Sequence, residues 1–386
     1  MTATCASTTS PKRICVVYDC LYPWTVGGAE RWYRALAERF AAKGHEVTYL
    51  TLRQWNPENA PTIAGVTVVP VGPALPLYVG ERRRIWPPVR FGIGVFVHFV
   101  RKGRHYDHVH TASFPFFSLL ALGMARWWCR FSLDVDWFEV WTDSYWREYL
   151  GRLGVIGAKV QALCAKIPQK AFVLSRLHGD RLAGLGQPSV HLTGAYAGGL
   201  KPSRALGSVP TLLYAGRLVA PKRVDLLLDA FALVHENHPD IRLNILGDGP
   251  ERDALTIQAH TLGLEKVVTF AGFVSEAELD RAMGEALAIV QPSEREGYGL
   301  VVVEASARSV PTVVVAAPDN AAVELVSPRE NGLVARSDPA SLAETLLAMI
   351  DDPAGWRQRT GDWYARNRER LSLDYSLEVV ERSVDS

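Results

Sequence analysis

The chain has 386 residues, long for one domain and of ordinary size for two, each able to bury its own core. Hydrophobic residues make up 48% and charged residues 22%, as in soluble globular proteins; 42 basic against 41 acidic side chains leave a net charge of +1, which argues against a general nucleic-acid binder. Five cysteines, an odd number without a Cys-x-x-Cys pair, fit reduced thiols better than a disulfide frame or a zinc site.

The first ten residues are polar and small, without the charged start and apolar centre of a signal peptide, so the sequence predicts a cytoplasmic protein. Two apolar stretches, Trp86 to Val100 and Ser113 to Ala125, are too short to span a membrane, and the first carries Arg90 and His98. Any membrane association is expected to be peripheral, at the inner face.

Arg13 to Tyr18 reads as a strand, Ala29 to Lys43 as a helix and Val47 to Leu50 as the next strand, a βαβ unit. Gly27 and Gly28 sit at its strand-to-helix turn, where a ligand contact and a plain turn are equally compatible with the sequence. No G-x-G-x-x-G follows the strand, so a standard dinucleotide site has no support. Further strands are expected at Val66 to Val71, His108 to Val109, Phe131 to Val135, Ala171 to Leu174 and Ser189 to Leu192.

Asp134-Val135-Asp136 has the D-x-D form that can hold a divalent cation, but the phosphate-binding residues lie elsewhere and no metal is expected. Asp136 and Glu139, at the end of a strand, are candidates for contacting or deprotonating a hydroxyl; loop acids beside buried indoles are the alternative. Nine of the eleven tryptophans precede residue 150, more than one core accommodates, which places an acceptor in this half. Arg82-Arg83-Arg84 beside Trp86 offers a grip on an anionic acceptor or a membrane surface, or else a solvated basic turn.

Thr193 to Val209 is a linker of Gly, Pro and Ser. A second βα series then opens with the strand Thr211 to Ala215 and continues through strands at Ile241 to Leu246, Ala286 to Val290 and Pro311 to Val315. Arg217 and Lys222 flank a turn at Pro221 and can both reach one diphosphate, where a fork and a point charge neutralise different oxygens. Gln291 to Ala307, QPSEREGYGLVVVEASA, carries the most information. Gly297 and Gly299 allow close backbone approach, and a helix starting near Gly299 points its free N-H groups into the loop. Glu304 lies in an otherwise apolar run and so needs partners, while Glu296 in the loop faces the other end of the same ligand. An amphipathic helix over Asp338 to Ile350 and a polar helical tail from Trp356 to Ser386 close the chain.

A glutamate, seven residues and a second glutamate, opened by E-G-Y-G-L, resembles the signature of the retaining glycosyltransferases of the GT-B fold, glycosyltransferase family 4. Gly216-Arg217-Leu218 with Lys222, the run ending in Gly247-Asp248-Gly249-Pro250-Glu251, and Val268 to Val274 are similar to the same family. The resemblance implies an α/β fold of two Rossmann-like domains facing a central cleft, with a C-terminal helix crossing back to the first. Residues 1–200 would hold the acceptor, 201–365 the nucleotide sugar, and 366–386 would be the returning tail. It implies that Arg217 and Lys222 bind the leaving diphosphate, Glu296 the donor sugar and Glu304 the ribose. Gly297, Tyr298, Gly299 and Leu300 would lie along the donor, with Gly216 and Gly247 in its loops and Phe273 and Val274 at the base. Gly27 and Gly28 match the opening loop that faces diphosphate and acceptor.

His110 matches the first histidine of the family's His-x-His, and Ala112 stands at the second, leaving His110 as a site-lining or a core residue. Asn320-Ala321 replace the Gly-Gly that often precedes Glu324, and Thr193-Gly194-Ala195-Tyr196 keeps only the glycine of the usual hinge. The expected activity is retaining, metal-independent transfer from a nucleotide-diphosphate sugar, without another cofactor, to a small-molecule, glycan or lipid-linked acceptor, in bacterial glycoconjugate or natural-product biosynthesis. A nucleotide-sugar epimerase or hydrolase, or a non-catalytic nucleotide-sugar binder, remains the alternative.

Overall fold

Short apolar runs, each buried on both faces and ending in a loop of turn formers, pair most readily as parallel strands with helices packed above and below. In the computed structural model, which describes residues 10–25, 27–73, 75, 78–79, 82–83, 86–201 and 204–385, such runs build two units. One unit reaches to Leu174 and includes His178–Leu192 and the chain from Ser376; the other comprises Ser175–Leu177 and Thr193–Tyr375.

From the N-terminus come β1 (Arg13–Val17), α1 (Gly28–Ala42), β2 (Glu46–Leu52) and β3 (Val66–Gly72), then the small antiparallel pair β4 (Tyr78–Val79) and β5 (Arg82–Arg83). They are followed by α2 (Trp86–Lys102), β6 (His108–Ala112), α3 (Phe117–Ala125), β7 (Ser132–Asp136), α4 (Asp143–Leu150) and α5 (Gly154–Ala165). β8 (Lys170–Val173), α6 (Arg176–Gly184) and β9 (Ser189–His191) complete the series. The seven main strands form a parallel sheet in the order β3-β2-β1-β6-β7-β8-β9. One face of β6 and β7 is apolar and packs on α2 and α3 through Val109, Leu133, Val135, Leu119 and Phe99. The other face carries His108, His110, Asp134 and Asp136, all buried, which is why the sequence read only the first two residues of β6 as strand.

The second unit contains β10 (Thr211–Ala215), α7 (Val224–Asn237), β11 (Arg242–Leu246), α8 (Arg252–Thr261), β12 (Val268–Gly272), α9 (Glu276–Glu285) and β13 (Ala288–Gln291). Then follow β14 (Arg295–Glu296), α10 (Leu300–Ser306), β15 (Thr312–Val315), β16 (Asp319–Asn320), β17 (Gly332–Ala335), α11 (Pro339–Ile350) and α12 (Pro353–Leu371). Its sheet is parallel, in the order β12-β11-β10-β13-β15-β17. β17 has too short a pattern to stand out in the sequence and is fixed by its pairing with β15. The strand order reverses between β10 and β13, so the loops that leave these neighbours open a crevice at the carboxyl edge of the sheet. α12 stays with this unit, burying Trp363, Tyr364 and Leu371 in a cluster with Val302, Val303 and Val314. Its Arg357 guanidinium, buried, donates to the carbonyls of Arg204, Gly284 and Ala286.

α13 (Leu373–Asp385) belongs to the first unit from Ser376 onward. Glu381 accepts from Arg39 at 2.9 Å and from Lys43 at 2.8 Å, and Ser383 donates to Asp134 at 2.8 Å. The four described cysteines are buried and unpaired, and burial pushes the Cys164 thiol up to about 12; Cys5 lies outside the described residues. No described helix is long and apolar enough to cross a membrane.

The loops that leave β10 and β11 interlock at backbone level. Gly247 has φ +129°, and a Cβ there would lie 1.9 Å from the Gly216 carbonyl oxygen. Leu218 in turn donates to Asp248 O at 3.0 Å and accepts from Glu251 N at 3.1 Å. Gly247→Ala is therefore expected to lower unfolding free energy by about 3 kcal/mol, from backbone strain and overpacking together. Chemical denaturation measures this, and a loss below about 1 kcal/mol would mean that the loops part at little cost.

Candidate functional site

β10 delivers Gly216, Arg217 and Lys222 to the crevice, and β13 delivers Gln291 to Gly299. The two loops are tied by Glu294 N, which donates to Pro221 O at 2.9 Å, and by the Lys222 ammonium, 2.5 Å from Glu296 Oε1. That same oxygen accepts from Gln291 Nε2 at 2.5 Å and from Ser293 Oγ at 2.9 Å. Three donors thus converge on one carboxylate oxygen, and among the described residues Glu296 Oε2 has no hydrogen-bond partner. Gln291 Oε1 is likewise buried without a partner. The sequence reading singled out Glu296 and Lys222 and missed Gln291 and Ser293; their place at the end of a buried strand beside the reversal in strand order was the available signal.

Arg217 is exposed, and the backbone carbonyl that follows its Cα accepts from the Tyr214 hydroxyl at 2.9 Å. This bond braces the turn while leaving the guanidinium without an ion-pair partner among the described residues.

The Glu296 loop is shaped from below by Asn320. Its buried side-chain NH2 donates to Ser293 O at 2.9 Å and Val315 O at 2.8 Å, while its oxygen accepts from Ala322 N at 3.0 Å. β14 pairs with β16 here, setting Glu296 beside Asn320. Asn320 and Ala321, where the family pattern has Gly-Gly, are buried, as is Ala322, and a Cβ on Gly299 would come 2.4 Å from that of Ala322. Gly299 has φ +93° and precedes α10 directly, so its freedom serves both the turn and this internal contact.

Tyr298, expected along the donor, is partly exposed; its hydroxyl donates to Thr193 O at 2.9 Å and its ring packs with the α10 and α12 cluster. Leu300 packs against the same cluster. Glu304 lies in α10 between buried Val303 and Ala305, itself only partly covered, near enough to Tyr196 to help hold that phenol above its ordinary pKa, after burial as the main cause. Phe273 is exposed after β12, and Val274 packs inward beside it. Gly297 lies in the β13 loop between Glu296 and Tyr298.

In the first unit, Gly27 is the N-cap of α1 in an extended conformation and Gly28 has open space where a Cβ would stand. Asp136 is a correction, and His110 takes the core position that the sequence left open beside a site-lining one. Asp136 is 1% exposed, and one of its oxygens accepts from Trp32 Nε1, Tyr33 OH and His110 Nε2, each at 2.8 Å. A carboxylate and imidazole sealed under α1 cannot touch an acceptor; they hold α1 to the sheet. Glu139 is partly exposed, accepts from Trp141 Nε1 at 2.7 Å and remains the acidic candidate on this edge.

His108, His110 and Asp134 offer ligand atoms within 4.8 Å of one another, the one such group among the described residues. All three are buried, and each already holds a partner: His108 with Ser132, His110 with Asp136 and Asp134 with Ser383. The D-x-D therefore lies inside the domain, away from any surface where it could bridge a diphosphate. Of the basic triplet, Arg84 lies outside the described residues and Arg82 and Arg83 form β5.

Each unit is a parallel-sheet Rossmann-like domain, and the pair defines the GT-B class. Sucrose-phosphate synthase from Thermosynechococcus elongatus has the same fold, with a TM-score of 0.78, 19% identity and 96% of this chain and 98% of that one covered. HepE of Anabaena, in a structure with UDP-glucose, superposes with a TM-score of 0.73 at 17% identity, covering 97% and 99%. Residues 26–189 match the family described as Glycosyltransferase Family 4, and residues 201–369 match Glycosyl transferases group 1. The chain belongs to this glycosyltransferase family. Glycogen synthase of Mycobacterium tuberculosis is 32% identical over 170 residues, 44% of this chain and 40% of that protein. D-inositol 3-phosphate glycosyltransferase of Streptomyces avermitilis is 33% identical over 171 residues, 42% and 36%. The matched part of the chain thus spans 40% or less of the length of these two curated relatives.

Two outcomes test the buried row. Asp136→Ala, which leaves three buried donors unmet, should cost about 3–5 kcal/mol of stability; a protein of unchanged stability that had lost activity would return Asp136 to the acceptor site. The histidines give opposite pH effects. Burial holds the His108 pKa well below 6.5, so the unfolded chain takes up a proton that the folded chain refuses, and stability falls as pH drops below 6.5. For His110 burial opposes the cation, but Asp136 outweighs it and the pKa is raised; its contribution is complete below 6.5 and lost as pH rises through the folded value. Relative to the parent, His108→Asn should therefore gain stability between pH 7 and pH 5, as followed by thermal unfolding; a constant difference would refute a neutral buried His108.

Proposed function

We propose that the chain is a retaining glycosyltransferase that moves a sugar from a nucleotide-diphosphate sugar to a hydroxyl of a small-molecule, glycan or lipid-linked acceptor, without a required metal. The observation that carries this reading is the meeting of Lys222 and Glu296 at the reversal of strand order, with Glu296 Oε2 left to accept a hydroxyl. Arg217 and Lys222 neutralise the departing diphosphate, which is catalysis by pre-positioned charge. Glu296, its first oxygen fixed by three donors, orients the donor sugar. Glu304 takes the ribose, backbone at Gly299 and Leu300 lies near the phosphates, and Phe273 and Val274 frame the base. The incoming hydroxyl attacks from the face the phosphate leaves, and the phosphate oxygen takes its proton, which gives retention.

Residues 1–200 hold the acceptor, with Glu139 as the acidic candidate and Gly27 and Gly28 in the opening loop; residues 201–365 hold the donor. Family membership supports this assignment, as does the UDP-glucose held in the HepE structure. The protein works in the cytoplasm, in glycoconjugate or natural-product synthesis.

Incubation with UDP, GDP, ADP and dTDP sugars and a panel of acceptors, read by NMR of the product's anomeric proton, tests the reading. A glycosylated acceptor of unchanged anomeric configuration supports it. Donor consumed equally without acceptor would instead indicate an epimerase or hydrolase, and donor left intact throughout a non-catalytic binder. Lys222→Ala should lower kcat about 100- to 1,000-fold while the thermal midpoint stays within a few degrees; parallel loss of both would make Lys222 a structural residue.

A further inference from the structure

α2 buries Pro88, Gly92, Val95 and Phe99 on one face, at intervals of three and four residues. A helix at the surface of a soluble domain ordinarily turns charged and polar groups outward from such a face. Here the outward face is Trp86, Arg90, Ile93, Val97 and Val100, again at intervals of three and four, so that apolar residues cover both sides. Trp86 is 61% exposed and Val100 57%. The last turn of α3, which packs on α2, adds Met124, and the segment after it adds Trp127, which is 91% exposed.

Arg90, Ile93, Val97, Val100 and Trp127 line one run of adjoining hollows. A hollow lined by Arg90, Ile93, Val97 and Lys102 shares Arg101 and Lys102 with a second, which holds Val100. The second shares Arg104 and Trp128 with a third that contains Arg126, Trp127 and Arg130.

The charge on this surface is mainly basic; the acids beside it are Asp107, in the third hollow, and Glu46, whose Oε1 lies 3.1 Å from Nε2 of His105 in the second. Residues 86–131 contain six Lys or Arg, namely Arg90, Arg101, Lys102, Arg104, Arg126 and Arg130, and a single acid, Asp107. Asp107 is engaged by Arg13 at 2.7 Å, and no carboxylate among the described residues pairs with any of the six. Unpaired basic groups interleaved with exposed indole and aliphatic side chains match an interface that is apolar below and negatively charged at its rim. A helix lying in the plane of an anionic bilayer meets both demands: the aliphatic face enters the acyl boundary, Trp sits at the headgroups, and Lys and Arg meet phosphates. A protein partner could match the apolar residues, but it would need an unbroken acidic rim around them.

We propose that the outward face of α2 and the segment Met124–Arg130 dock the first unit on an anionic lipid surface. This deepens the cytoplasmic assignment to a peripheral one and is independent of whether the crevice of the second unit transfers sugar.

The full chain is tested by flotation with vesicles of phosphatidylcholine alone and of equimolar phosphatidylcholine and phosphatidylglycerol. Binding is expected to the mixed vesicles, to weaken as salt rises, and to be at least tenfold weaker with the neutral lipid. Arg101→Glu with Lys102→Glu should weaken binding by at least tenfold, roughly fivefold for each charge removed. Trp127→Ser with Val100→Ser should weaken it about tenfold. All four positions are exposed, so folding should survive, as circular dichroism checks, and donor binding in the second unit provides an independent readout. Failure to bind, equal binding to both vesicles, or variants that bind like the parent would overturn the proposal. So would lipid-free dimers that the same variants dissolve, since the face would then belong to a second copy.

Discussion

Everything at the carboxyl edge of the second sheet depends on how one carboxylate is held. Glu296 Oε1 takes Lys222 from the β10 loop and Gln291 and Ser293 from its own, and this focus of three donors locks the two loops where the strand order reverses. An ammonium on a four-carbon stem ordinarily samples many positions. Here it is held against Glu296, so part of its conformational entropy is already given up in the folded chain. Among the described residues the remaining oxygen of Glu296 has no hydrogen-bond partner, and Asn320 ties the loop to β15 through Ser293 O and Val315 O.

The first unit holds a carboxylate in a similar manner to the opposite end. Asp136 also gathers three donors on one oxygen, but they come from α1 and from β6, and the group is sealed. Low dielectric makes such a cluster expensive to break, so it acts as a clamp between α1 and the sheet rather than as a reagent. α13 adds a second polar attachment on the same face through Ser383, with Glu381 paired to α1. The apolar face of the sheet, by contrast, is given to α2 and α3, whose far side carries the exposed tryptophans. Polar and apolar demands are thus divided between the two faces of one sheet.

The substitutions that set this chain apart from its family pattern find internal compensation. With Asn320 and Ala321 in place of the glycines, the methyl of the next residue, Ala322, occupies space that Gly299 leaves vacant. The loop keeps a fixed shape by packing and by the Asn320 hydrogen bonds.

The alternation of short apolar runs with amphipathic helices is legible along the chain, and with it the two parallel α/β units. So are the glycine-bearing loops with Arg217, Lys222, Glu296 and Glu304. These are local signals: periodicity reports which faces are buried, and turn formers report where strands end. Which carboxylates stay accessible was settled instead by packing between distant segments. Asp136 and Glu139 lie three residues apart and look alike along the chain, yet Trp32 and Tyr33, more than a hundred positions earlier, cover the first and leave the second partly open. The same holds for Gln291 and Ser293, ordinary polar residues until the order of strands sets them beside Lys222. Burial and partnership are properties of contacts between remote parts of the chain, and no spacing along one segment encodes them.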